Sequence, residues 1–173
     1  MATKVSSLFA GKVLAELKKC GITHIVWLPH SENKAMYETV LRDAGITLVP
    51  VCREGECIPI AAGLWMGGKN PAIMHQSTGL FEAGDSIRGL ALDMQLSLLM
   101  LIGARGWPTP GSPPSPYSWN GIDSAATYLI PILDAWGIKH HLVTNENETG
   151  QITSAYKEAQ TTSRPVAVLI AKE

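Results

Sequence analysis

Six short apolar runs alternate with stretches of helical periodicity along this chain, and that alternation constrains the fold more than any other feature. The runs occupy residues 23–28, 47–51, 72–74, 98–102, 139–143 and 166–170. Several are apolar at nearly every position, the pattern of strands covered on both faces. The first helix is capped by Ser6 or Ser7, lines up Phe9, Val13, Leu14 and Leu17, and closes at Gly21. The second starts at Ser31 and stops at Gly45. The third follows Glu54, with Pro59 tolerated in its first turn because the missing N–H is no loss there. A fourth spans about 80–94, a fifth is capped by Ser124 and ends at Gly137, and a sixth lies between Asn147 and Thr161. Six strands alternating with six helices predict an α/β fold: a doubly wound, six-stranded parallel sheet with helices on both faces.

A chain of 173 residues suits one domain, 1–173, able to bury roughly 70% of its unfolded surface. Its net charge of -1 offers no attraction for nucleic acid or an anionic membrane. No apolar run approaches the roughly 20 residues of a membrane helix, and Lys4, Lys12 and Glu16 interrupt the N-terminal segment where a secretion signal would need an apolar stretch. Three cysteines, Cys20, Cys52 and Cys57, form no closed disulfide set, so a reduced, cytoplasmic setting is expected. Cys52 and Cys57 are read as buried structural thiols.

Several chemistries are excluded. Gly67-Gly68-Lys69-Asn70 lacks the spacing of a phosphate loop, the first strand runs into Leu28-Pro29-His30-Ser31 without a glycine fingerprint, and His75-Gln76-Ser77-Thr78-Gly79 lacks the leading glycine of a nucleophile elbow. His140 and His141, adjacent on a strand, face opposite ways, so no metal site is expected.

What remains is the turn Val51-Cys52-Arg53-Glu54-Gly55-Glu56-Cys57, where a strand stops and a helix begins at the carboxyl edge of the sheet. Open α/β sheets bind ligands at that edge, although helix N-termini attract carboxylates for electrostatic reasons as well. Residues 106–121 carry five prolines and three glycines. With Trp107, Tyr117 and Trp119 among them, they form either a surface excursion or an active-site cover or partner contact.

The run from Arg53 to Leu80 resembles the pyrimidine-binding (PYR) domain of thiamine-diphosphate (ThDP) dependent decarboxylases, nearest to the α subunit of sulfopyruvate decarboxylase and the matching half of phosphonopyruvate decarboxylase. Glu54 stands nine residues before Gly63 of an Ala-Ala-Gly element, Leu28-Pro29-His30-Ser31 matches the family's first crossover, Gln76-Ser77-Thr78-Gly79-Leu80 its third-strand turn, and Arg105-Gly106 the step after its fourth strand. The resemblance implies that Glu54 hydrogen-bonds a ring nitrogen of the aminopyrimidine, that Pro29, Ser31, Gln76 and Gly79 line the cofactor, and that the coenzyme accepts the electrons released as carbon dioxide leaves a 2-oxo acid. Glu56 is the less favoured of the two carboxylates. By the same resemblance His75 is either a proton relay or a core histidine bonded to a backbone carbonyl. His30 and Ser31 face the substrate entry or fill a loop, and Arg105 holds an anionic tail or is an ordinary surface arginine. Where relatives have Gly-Leu-Gly-Asn, this chain has Gly79-Leu80-Phe81-Glu82, which adds bulk and negative charge near the expected pocket and weighs against sulfopyruvate itself.

The family holds diphosphate and Mg²⁺ with Gly-Asp-Gly and a later asparagine; Gly84-Asp85-Ser86 lacks that context. The chain is therefore expected to work as the PYR subunit of a hetero-oligomer, with a separate pyrophosphate-binding (PP) subunit holding the metal. The implied activity is decarboxylation of a small anionic 3-substituted pyruvate. A ThDP-dependent carboligase or lyase subunit and a non-catalytic scaffold with a PYR fold are the alternatives.

Overall fold

The computed structural model describes residues 7–30, 34–108 and 123–171. Ser31, Tyr117 and Trp119, together with the cap at Ser6, lie outside the described residues. Along the chain run α1 (Ser7–Lys19), β1 (His24–Trp27), α2 (Lys34–Leu41), β2 (Thr47–Pro50), a 3-10 turn (Glu54–Glu56), α3 (Cys57–Met66), β3 (Pro71–Gln76), α4 (Ser77–Glu82) and α5 (Gly84–Ser86). A π turn (Ile87–Leu92), β4 (Leu99–Gly103), α6 (Ser124–Thr127), α7 (Leu129–Ala135), β5 (Lys139–Val143), α8 (Gln151–Thr162) and β6 (Val166–Ile170) follow. All six strands are parallel, in the order β2-β1-β3-β4-β6-β5. The α/β fold expected from the alternation is the one observed.

Alternate residues of each strand feed two cores, as the two-residue period of a strand requires. Ile25 and Trp27, Ala72 and Met74, and Leu99 and Leu101 pack with Phe9, Val13 and Leu17 of α1, Val40 of α2 and Ile152 of α8. Val26, Ile73, Met100 and Ile102 pack on the other face with Ile58 and Ala61 of α3, Leu80 of α4, Ile87 of the π turn and Leu133 of α7. Burial on both sides is why the central strands read as unbroken apolar runs. Among the described residues no helix is long and apolar enough to cross a membrane.

Four local expectations are corrected. The fourth helix starts at Ser77 directly from β3, with Gln76 still extended (φ -84, ψ 169), and it breaks at Ala83 before widening into the π turn. The second helix ends at Leu41, and Asp43 closes the following turn by accepting the Gly45 N–H at 2.8 Å. Asp123, not Ser124, caps the fifth, its carboxylate accepting the Ala125 N–H at 2.9 Å. That helix is split at Tyr128, where Pro131 offers no N–H to the Thr127 carbonyl. Cys57 is buried as expected, but Cys52 is exposed, because β2 is an edge strand and the chain has already left the sheet by residue 52.

Candidate functional site

Strand order turns around between β1 and β3: from β1 the chain steps outward to β2, then returns past β1 to β3. The loops leaving two such strands diverge to opposite faces and leave a crevice outside their carboxyl ends. Leu28, Pro29 and His30 follow β1, His75 and Gln76 end β3, and the Glu54 turn follows the neighbouring β2. The topology thus brings His30, Glu54, His75, Gln76 and Gly79 to one edge.

Glu54 opens the 3-10 turn with its side chain laid across Gly79 of α4. A methyl group added at Gly79 would stand 2.5 Å from the Glu54 Cγ and 2.9 Å from its Oε1, so only glycine leaves room for this side chain. Neither a hydrogen bond nor an ion pair to the Glu54 carboxylate is found among the described residues. Glu56 is differently employed: its Oε2 accepts the Cys52 N–H at 3.0 Å and the Arg53 N–H at 3.4 Å, satisfying backbone donors ahead of the helix. Glu54 has no such backbone task among the described residues. Beneath it the Cys57 thiol is pushed up to about 12, first by burial and then by the Glu54 charge, so it stays protonated and inert.

Gln76 donates from Nε2 to Nδ1 of His30 at 2.8 Å, tying the β3 end to the loop after β1. His75 is 1% exposed. Its Nδ1 donates to the Gln76 carbonyl at 3.1 Å, the backbone bond that was one of its two readings, while its Nε2 and the nearby Ser77 hydroxyl are buried without a hydrogen-bond partner. Unpaired polar atoms are rare in a core; Trp27 Nε1, in the layer on the other face of the sheet, is another among the described residues. Pro29 is exposed on the loop between. Arg105 follows β4 at the same sheet edge, where its Nε lies 3.5 Å from Oδ2 of the helix-capping Asp123.

Burial lowers His75 to about 4, and burial together with the neighbouring His75 imidazole lowers His30 to about 4. Both rings are neutral when folded, whereas an unfolded histidine binds a proton near pH 6.5. Stability is therefore fully present above pH 6.5 and falls as pH drops through 6.5 toward 4. His75 alone is expected to cost about 2 kcal/mol between pH 7 and pH 5. Urea titrations at the two pH values check this: His75→Gln should lose markedly less stability over the interval than the parent chain. An equal loss in both would show that His75 is not the group responsible.

Reasoning from the sequence missed the bonds that hold the Glu54 turn. Glu82 accepts Nε of Arg53 at 2.9 Å, Nη2 of the same guanidinium, and the N–H of Gly55. The charge expected to intrude on the pocket is thus engaged by Arg53. Ser86 donates to the Gly55 carbonyl at 3.0 Å. The available signal was the spacing Gly79, Glu82, Ser86, which places all three on one helical face.

The chain is similar to sulfopyruvate decarboxylase subunit alpha of Methanothermobacter thermautotrophicus, 34% identical over 94 residues that cover 54% of this chain and 57% of that protein. It is 31% identical over 90 residues to the subunit of the same name from Methanocaldococcus jannaschii, covering 52% and 53%. Phosphonopyruvate decarboxylase of Streptomyces hygroscopicus is 27% identical over 99 residues, 57% of this chain and 25% of that enzyme. The matched stretch spans about half the length of the two sulfopyruvate decarboxylase subunits. No protein-family profile matches the chain.

Proposed function

We propose that this chain is the pyrimidine-binding subunit of a ThDP-dependent decarboxylase of small anionic 3-substituted pyruvates, and that Glu54 is the group that engages the cofactor. The observation that carries this reading is the Glu54 carboxylate, seated over Gly79 at the switch-point crevice with no hydrogen bond or ion pair among the described residues. A lone carboxylate at the mouth of an apolar layer suits a ring nitrogen that must gain and lose a proton. The similarity to sulfopyruvate and phosphonopyruvate decarboxylases supports the decarboxylase reading and is the ground for the substrate class proposed.

Bound there, the coenzyme would supply the electron sink for carbon–carbon cleavage. The chain's own residues have simpler tasks. Glu54 holds a proton at the aminopyrimidine edge, and the apolar layer around Val51, Ile58 and Ile73 keeps water from competing for it. Gly79, Gln76 and Pro29 are assigned to the cofactor side, and His30 and Arg105 to the substrate side. His75, neutral and buried, can only accept a proton at Nε2, so a relay role would run from that atom.

The diphosphate and Mg²⁺ are assigned to a separate PP subunit. Among the described residues no three His, Cys, Asp or Glu side chains come together to hold a metal ion. Calorimetry and a carbon dioxide assay test this: the chain alone should bind ThDP weakly and leave sulfopyruvate and phosphonopyruvate intact, with turnover appearing when the PP subunit is added. Robust decarboxylation by the isolated chain would sink the subunit reading.

A further inference from the structure

We infer that Glu82 is a positioning residue: one face of the α4–α5 segment, carrying Gly79, Glu82 and Ser86, is a three-point template that sets where Glu54 stands. This inference rests on the reading that Glu54 meets the cofactor. Gly79 clears the space that the Glu54 side chain occupies. Glu82 accepts the Gly55 N–H and grips the Arg53 guanidinium, so it fixes the residues on either side of Glu54. Ser86 donates to the Gly55 carbonyl at 3.0 Å.

That last bond answers a defect written into the sequence. In α-helical register the Gly55 carbonyl would receive the N–H of residue 59, which is Pro59 and has none. Ser86 provides a donor in its place. Residue 55 has its N–H and its carbonyl both held by one neighbouring element, and a Cβ there would stand 3.1 Å from Glu82 Oε2, which accounts for the glycine. Fixing both backbone groups of the next residue removes the freedom by which the backbone at Glu54 could turn away from the crevice. Active-site groups need this kind of support from residues that never touch the reacting atoms.

The test uses Glu82→Ala, with Glu82→Gln as the conservative variant, in the full chain. Nuclear magnetic resonance reads the exchange rate of the Gly55 amide and the carboxyl carbon signal of Glu54. Glu82→Ala should speed Gly55 exchange by about 10-fold or more and shift or broaden the Glu54 signal; Glu82→Gln, which keeps one acceptor oxygen for the Gly55 N–H and gives up the grip on Arg53, should bring Gly55 exchange only part of the way back. In the complex with the PP subunit, Glu82→Ala should lower kcat about 10- to 100-fold with KM little changed. Unaltered Gly55 exchange and an unaltered Glu54 signal in Glu82→Ala overturn the inference. If that variant does not fold, Ser86→Ala decides on the same two signals, with the same meaning for change and for constancy. A fully active Glu54→Gln complex would remove the functional reading instead, so the two failures are told apart.

Discussion

Glu54→Gln, assembled with the PP subunit, is expected to lower kcat by about 10²- to 10⁴-fold, the range over which a positioned acid–base group contributes. The amide has the shape of the carboxyl group, so it keeps the packing across Gly79 and adds no bulk beneath the crevice. It cannot hold and return a proton at an aminopyrimidine nitrogen. No hydrogen bond within the described chain depends on the Glu54 carboxylate, so stability and assembly should be unchanged. Steady-state carbon dioxide release and size-exclusion chromatography of the same sample separate chemistry from assembly. Parent-level turnover in this variant would remove Glu54 from the reaction and leave the scaffold alternative in its place.

Gly79→Ala should be nearly as damaging by a different route. The added methyl group would stand 2.5 Å from the Glu54 Cγ and 3.0 Å from its Cδ, closer than carbon atoms can approach, so something must move. α4 cannot easily do so, because Leu80 and the following Ala83 are buried in the apolar layer that also holds Ile58 and Ile73. Glu54 is partly exposed, and its side chain can rotate. The methyl therefore displaces the carboxylate and not the helix. We expect about 1 kcal/mol of lost stability, the low end for overpacking, with a fall in kcat of about 100-fold, as a misplacement near 1 Å can produce. Denaturant unfolding and steady-state kinetics on one preparation measure both. A stable Gly79→Ala variant with full activity would show that the present seat of Glu54 does not set the rate.

The strands were legible because both sheet faces are buried: 139–143 and 166–170 were located to the residue, and the others to within three. The largest shortfall was β3, which runs on through the polar His75 and Gln76. There the backbone ladder with β4 continues although apolarity stops. Helix ends were less legible. Asp123 outcompeted Ser124 as a cap, and the α4–α5 segment breaks where Glu82 and Ser86 turn toward Gly55, a contact some thirty residues away along the chain. Periodicity reports what lies three or four residues away on one helix. It is silent about which turn a helix face will meet. For the same reason the sequence marked Glu54 and Gly79 separately, whereas their mutual contact is a product of the crossover from β2 to β3.

β1 sits between β2 and β3, which bears on how the molecule is made. A nascent chain cannot complete the sheet around β1 until residue 76 has left the ribosome, because the inner neighbour arrives two elements after the outer one. Once residue 86 has emerged, Pro29, His30, Glu54, Gln76, Gly79, Glu82 and Ser86 are all available, while β4, β5 and β6 have yet to emerge. A domain generally folds as a unit, so closure of the core waits for the remaining strands. The crevice is thus first in order of birth: its parts reach solvent ahead of the half of the sheet that completes the core.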